Sequence, residues 1–295
     1  MELISIIMPT FKNEGFALKR AIDSVLNQTY DNWELIIVDD NQDSKYSKIV
    51  QTIVSDYLNN KIKYFKNQEN LGSAKSRNLG IDYAKGKYIT FLDDDDLYLP
   101  KKIENQINVM KINDADFSIG NLDLKNQNEK VVRRRRHQYL ENFKAENLLK
   151  YHLKYHLTGT DTLMFKKEYI LKIGKFDEID IGDEYYLMLK AILNKGKCAY
   201  VNSVDVVAYI HDAGIGLTAS SKKIQGEINL YNKKKQFFST LSKKDIRFIK
   251  MRHNLVLLSC QIKNKNTLSL IVYIFKAFFS CPGQFIKFAF NRKEY

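Results

Sequence analysis

Proline and cysteine are scarce in this chain of 295 residues, with three of each. Cys198, Cys260 and Cys281 show no metal-ligand spacing. That speaks against a zinc or disulfide scaffold and for reduced thiols in a cytosolic setting. No apolar stretch reaches the length of a membrane span. Met1 leads straight into a strand-like run, so no signal peptide is expected. The net charge is +13, with a pI of about 9.3. Zinc-finger, helix-turn-helix and RNA-binding signatures are nevertheless missing, so no nucleic-acid partner is expected. There is no Gly-x-x-x-x-Gly-Lys phosphate loop, which weighs against a nucleotidyl- or phosphotransferase. Internal repeats are absent as well. The length suffices for a sizeable core.

What stands out instead is acid. Asp93, Asp94, Asp95 and Asp96 follow the apolar run YITFL at 88–92, a short aromatic and branched stretch that reads as a buried strand. Adjacent like charges repel, and more so where water is scarce. A hard divalent cation removes that cost, taking one or two carboxylates and completing its shell with water and phosphate. A solvated acidic turn ahead of a helix opening near Pro100 is the plainer alternative. A second apolar run, 34–38, ends in Asp39 and Asp40, and an earlier one, 3–8, ends in Pro9, Thr10, Phe11, Lys12 and Asn13. Helical spacing separates them: Ala17, Leu18, Ala21, Ile22 and Val25, then Ile49, Val50, Ile53, Val54 and Tyr57. Alternating strands and helices predict an α/β fold with a parallel sheet, whose ligands bind at the carboxyl ends of the strands.

These stretches together resemble family 2 glycosyltransferases. Residues 6–14 (IIMPTFKNE) resemble the opening strand and loop, 21–30 (AIDSVLNQTY) the helix and turn that follow, and 35–41 (LIIVDDN) the nucleotide-binding strand end. Residues 70–81 (NLGSAKSRNLGI) resemble the next helix entry, and 84–96 (AKGKYITFLDDDD) the strand carrying the Asp-x-Asp motif. The resemblance covers roughly the first 110 residues in order, and jointly the motifs are specific. It implies a GT-A fold, a Rossmann-like nucleotide-binding mixed sheet flanked by helices. It also implies a nucleotide-sugar donor, most simply a UDP-sugar, a Mn²⁺ or Mg²⁺ ion, and inversion at the anomeric carbon. The acceptor it implies is a glycan, plausibly lipid-linked in surface polysaccharide synthesis, with a hexose or N-acetylhexosamine transferred.

The resemblance carries roles onto particular residues. Pro9, Thr10, Phe11, Asn13 and Glu14 fall in the loop that meets the nucleotide, where the ring of Phe11 suits stacking on a base. Asp40 matches the carboxylate that accepts from the uracil imide. Lys75 and Arg77 are placed to reach the diphosphate, or Arg77 to brace Asp40. Asp93 and Asp94 belong to the donor site, and Asp95, Asp93 and His211 are the expected metal ligands. At 182–190 (GDEYYLMLK), Asp183 and Glu184 open a helix. Acids there satisfy free N–H groups and the macrodipole, but the resemblance also places the general base at one of the two. The Leu-x-Leu pattern favours Glu184, and relatives with a lone Asp after Gly favour Asp183. His211 is followed by the two-glycine stretch 212–218, read as a lid over the donor. Thr160 and Asp161, in a strand-like run at 159–165, are read as facing the acceptor. Arg133 to Arg136 are read as an exposed loop open to an acceptor diphosphate, an anionic membrane or nothing specific.

The expected organisation is a catalytic domain at 1–219, with a nucleotide-sugar-binding half at 1–110 and an acceptor half at 111–219. A helical, basic and aromatic C-terminal extension follows at 220–295. Within it, Phe275, Phe278, Phe279, Phe285 and Phe288 interleave with Lys276 and Lys287. That pattern suits a helix lying in a membrane interface, with packing on the catalytic domain or on a second copy in a homodimer as the rival. The expected location is the inner face of the cell membrane, as a peripheral cytoplasmic protein. A non-catalytic basic scaffold that binds anionic polymer is the remaining alternative.

Overall fold

The structure, a computed structural model, describes residues 1–57, 59–179, 181–210, 221–263 and 267–290. The chain alternates as the spacing predicts: β1 (Ile4–Thr10), α1 (Phe16–Leu26), β2 (Trp33–Asp39), α2 (Ser44–Asp56), β3 (Ile62–Lys66), α3 (Gly72–Tyr83) and β4 (Tyr88–Phe91). Then come β5 (Leu97–Tyr98), α4 (Lys102–Ile112), β6 (Phe117–Lys125), β7 (Val131–Arg135) and α5 (Ala145–Tyr155). They are followed by β8 (Met164–Lys166), α6 (Lys167–Lys172), α7 (Asp183–Leu193) and β9 (Cys198–Tyr209). The sequence closes with α8 (Ser221–Lys235), α9 (Lys243–Lys263), α10 (Thr267–Ser280) and α11 (Pro282–Phe290).

The nine strands form one mixed sheet in the order β3-β2-β1-β4-β8-β6-β9-β5, with β7 paired to β6. Strands β3, β2, β1 and β4 run parallel, and β8 is antiparallel to both β4 and β6. Parallel strands covered by helices on both faces read as nearly continuous apolar runs, which is why β1 and β2 are buried almost throughout. One core gathers Ile4, Ile6 and Met8 of β1, Leu35 and Ile37 of β2, and Leu18, Ile22 and Val25 of α1. Helix α3 lies close to β1 because Gly80 has no side chain: a Cβ there would stand 2.4 Å from Ile7 Cγ2.

Two compact units divide the chain. The first contains 1–149, 157–179 and 183–210; the second contains 150–156, 180–182 and 211–295. In the second, Phe248, Met251 and Ala277 form a small core against which Tyr155, Leu255, Cys281 and Phe285 pack. Helix α10 and the following helix are bent by 118° about their break. Among the described residues no single helix is long and apolar enough to cross a membrane.

Local readings shift in three places. Helix α4 begins at Lys102, two residues past Pro100, because β5 takes up Leu97 and Tyr98. The run at 159–165 opens as a 3-10 turn, Thr160–Thr162, before β8. Arg133 to Arg135 lie in β7, paired with Leu124, Asp123 and Leu122 of β6, instead of in a loop.

Candidate active site

The direction of chain progression reverses between β1 and β4, which leaves a crevice at their carboxyl ends. Thr10, the last residue of β1, donates its hydroxyl to Asp94 Oδ2 at 2.5 Å, and Asn13 Nδ2 donates to the Asp94 carbonyl at 3.0 Å. The loop after β1 and the acidic run after β4 are thereby tied together. Phe11 is 49% exposed beside them, so it is no core residue. Glu14 is exposed. Arg20 closes the other side: its Nη2 donates to the Asp95 carbonyl, and its guanidinium lies 3.6 Å from the Tyr209 ring centroid.

Three carboxylates, those of Asp93, Asp96 and Asp161, bring one oxygen each within 4.8 Å of one another. Asp161 accepts from the Asp93 backbone N–H at 2.8 Å, and Asp96 accepts from the Tyr209 N–H at 2.8 Å. Burial raises the proton affinity of Asp96 and of Asp161, and each neighbouring acid adds to it: Asp161 for Asp96, Asp93 for Asp161. Asp94 is pushed up to about 7, by burial first and then by Asp95. An all-oxygen set of three carboxylates is the donor chemistry of Mg²⁺ or Mn²⁺, so the residues present fit such an ion. Asp95, named from the sequence as a ligand, is not part of this group of three. His211 and the stretch 212–218 lie outside the described residues.

Arg77 links the acids to the next helix. It is buried, with Nη2 2.7 Å from Asp93 Oδ1 and Nη1 2.8 Å from Asp183 Oδ2. Burial works against its charge, and the two carboxylates more than offset that, so its affinity for the proton rises. It does not brace Asp40. The Asp40 carboxylate instead accepts from Asn67 Nδ2 (2.8 Å), from the Leu71 N–H (2.8 Å) and from the Gly72 N–H (2.9 Å), which caps α3. Lys75 pairs with Glu178 at 3.1 Å, and both side chains are largely exposed. Pro9 sits within β1, opposite Val38 of β2.

Asp183 and Glu184 open α7 as expected. They are not equivalent. Asp183 is buried and pairs with Arg77. Glu184 is raised to about 8, by burial first and then by the Asp183 charge beside it. Asp161 is buried at 3% exposure, so it lines the acidic cluster instead of facing an acceptor. Behind the cluster, Lys102 is buried with its Nζ on Thr90 Oγ1 and 3.9 Å from the Tyr98 ring centroid. Burial drives its affinity for the proton well down, against the pull of Asp161 and Asp205. Sequence reasoning missed Lys102, since a lysine at a helix start reads as surface.

A mixed sheet with a parallel nucleotide-type half, and acids gathered at its switch point, defines a GT-A transferase. Residues 5–171 match the model described as Glycosyl transferase family 2, and the chain belongs to that family. It is 34% identical over 199 residues to the uncharacterized glycosyltransferase MJ1057 of Methanocaldococcus jannaschii, covering 66% of each chain. It is 38% identical over 130 residues to UDP-Glc:alpha-D-GlcNAc-diphosphoundecaprenol beta-1,3-glucosyltransferase WfgD of Escherichia coli, covering 44% of this chain and 49% of that one. The matches thus span about two thirds and about half of those relatives. In fold it resembles S. aureus TarS 1-349, with a TM-score of 0.63 at 16% identity over 95% of this chain and 80% of that one.

Proposed function

We propose that this chain transfers a hexosyl or N-acetylhexosaminyl group from a UDP-sugar to a hydroxyl of a lipid-linked glycan, with inversion and with Mn²⁺ or Mg²⁺. The observation that carries the reading is the Arg77 bridge. It sets a carboxylate of raised proton affinity, Glu184, beside an acidic cluster at the sheet's switch point. WfgD acts on a UDP-sugar and a lipid diphosphate by name, and TarS 1-349 was solved with UDP-GlcNAc; both support the choice of donor.

The uracil stacks on Phe11, and Thr10 and Asn13 hold Asp94 toward the ribose. Asp40 keeps the base-side loop in place through its α3 cap, with one oxygen lone pair left for the uracil imide. Asp93, Asp96 and Asp161 would hold the ion, and the half-exposed Asp95 would offer a further carboxylate. When bound, the ion supplies positive charge to the leaving diphosphate. Glu184 takes the proton from the acceptor hydroxyl as its oxygen bonds to the anomeric carbon and the carbon–diphosphate bond breaks. Burial first, and then Asp183 beside it, hold the proton affinity of Glu184 high enough for the task. The exposed apolar side chains of α10 and α11, with Lys276 and Lys287, dock the protein on the anionic inner face of a membrane, where a lipid-linked acceptor resides.

Calorimetric titration of UDP checks the donor site. Tight binding is expected with Mn²⁺ and weak binding with EDTA, and Asp95→Ala is expected to remove most of the difference. Equal affinity in Mn²⁺ and EDTA would overturn the metal-dependent reading.

A further inference from the structure

Strand β7 carries three consecutive arginines that the chemistry above does not use, and the structure treats them unequally. Side chains alternate along a strand, so Arg133 and Arg135 share one face and Arg134 takes the other. The next residue, Arg136, is neutralised by Asp123 at 2.6 Å. Arg133 and Arg135 enter no ion pair among the described residues. Arg135 is half-buried, and its Nη1 donates to the Thr158 carbonyl at 3.0 Å. The approach depends on Gly159, which adopts φ +110 and whose Cβ, were there one, would stand 3.2 Å from that Nη1. The turn after Gly159 carries Asp161 of the acidic cluster two residues further on.

Burial and the charge of Arg133 both disfavour the Arg135 cation, and the field of Glu184 is what favours it. Arg135 therefore stands within electrostatic reach of the proposed base without pairing with it. A partly desolvated guanidinium with one hydrogen bond and a like-charged neighbour costs stability unless an anion arrives.

We propose that Arg135 and Arg133 bind a phosphate group of the acceptor. A planar fork of donors recognises phosphate oxygens in pairs. Two adjacent cations match the charge of a phosphate better than that of a single carboxylate. The phosphate can be the diphosphate that joins a sugar to a lipid or a phosphodiester within a polymer; the recognising chemistry is the same. The inference rests on the glycosyltransferase reading, since it assigns the phosphate to the acceptor.

The test titrates full-length protein, saturated with UDP and Mn²⁺, with glucose 1-phosphate, glycerophosphoglycerol, glucuronate and methyl glucoside. At least one phosphate probe is expected to bind about tenfold or more tighter than methyl glucoside and glucuronate. That preference is expected to vanish in the Arg133→Gln/Arg135→Gln double variant and to persist in part in Arg135→Lys. A preference for the monoester assigns a lipid-diphosphate end, and a preference for the diester assigns a polymer phosphate. The proposal is overturned if phosphate probes bind no better than methyl glucoside, if glucuronate binds as well as they do, or if the double variant keeps the preference. UDP affinity is measured on the same samples. Should UDP fail to bind, the donor reading fails, while the arginine-dependent phosphate preference still decides this one.

Discussion

At the scale of single residues, the site turns on one arginine and the two acids at the start of α7. Arg77 pairs with Asp183, and the Glu184 carboxyl next to it is raised to about 8. Glu184→Gln keeps the shape and removes proton acceptance, so transfer is expected to fall about 10²–10⁴-fold while UDP still binds. On the proposed reading the ionised form of Glu184 is the active one. Wild-type kcat/KM is therefore expected to rise with pH along a limb at or below about 8, the bound cation drawing it downward. Asp183→Asn removes the like charge and is expected to shift that limb to lower pH. Rates equal to wild type in both variants, measured as transferred sugar across the pH range, would place the base elsewhere.

At the scale of elements, what was legible depended on whether neighbours in sequence are neighbours in space. The runs that became β1, β2 and β4 are continuous and apolar because both faces of a parallel strand are covered, and the polar residues at their ends fall on one edge. Helices α8 to α11 form the helical C-terminal region that was expected. The links that assemble the site run across the chain and left no local pattern. Arg77 reaches Asp183, 106 positions away, and Asp161 reaches Asp93, 68 positions away. Asp40 illustrates the limit: its place after β2 was readable, but its cap on α3 depends on how the loop at 67–72 folds back. Likewise a run of four arginines reads as a solvated loop until strand pairing separates its faces. Gly80 gives this scale its test. Gly80→Ala drives a methyl group into branched Ile7, and such overpacking is expected to cost about 1–3 kcal/mol in urea denaturation. No change in midpoint would mean that α3 does not sit as close to β1 as described.

At the scale of the whole molecule, the proposed membrane docking combines the net charge of +13 with the apolar side chains of the last helices. Ile271, Phe275 and Phe279 of α10 and Ile286 of α11 are exposed, with Phe279 at 66%. The inner side of α10 is not: Ala277 is fully buried against α9. Removing α10 and α11 would therefore uncover the core of the second unit, so substitutions on the outer face are the cleaner probe. Ile271→Ser, Phe275→Ser and Phe279→Ser together are expected to abolish sedimentation with anionic vesicles while leaving the fold and UDP binding unchanged. High salt is expected to weaken wild-type binding, since each basic group near such a surface contributes about 1 kcal/mol. Wild-type protein that never sediments with anionic vesicles would end the membrane reading, and self-association through the same face would replace it.

The most direct measurement of the central claim is UDP release from a panel of UDP-sugars, with Mn²⁺ and with EDTA. The account predicts release from at least one UDP-sugar that EDTA abolishes and that Asp93→Ala does not support. Release from none of them, or release undiminished by EDTA and by Asp93→Ala, would contradict it.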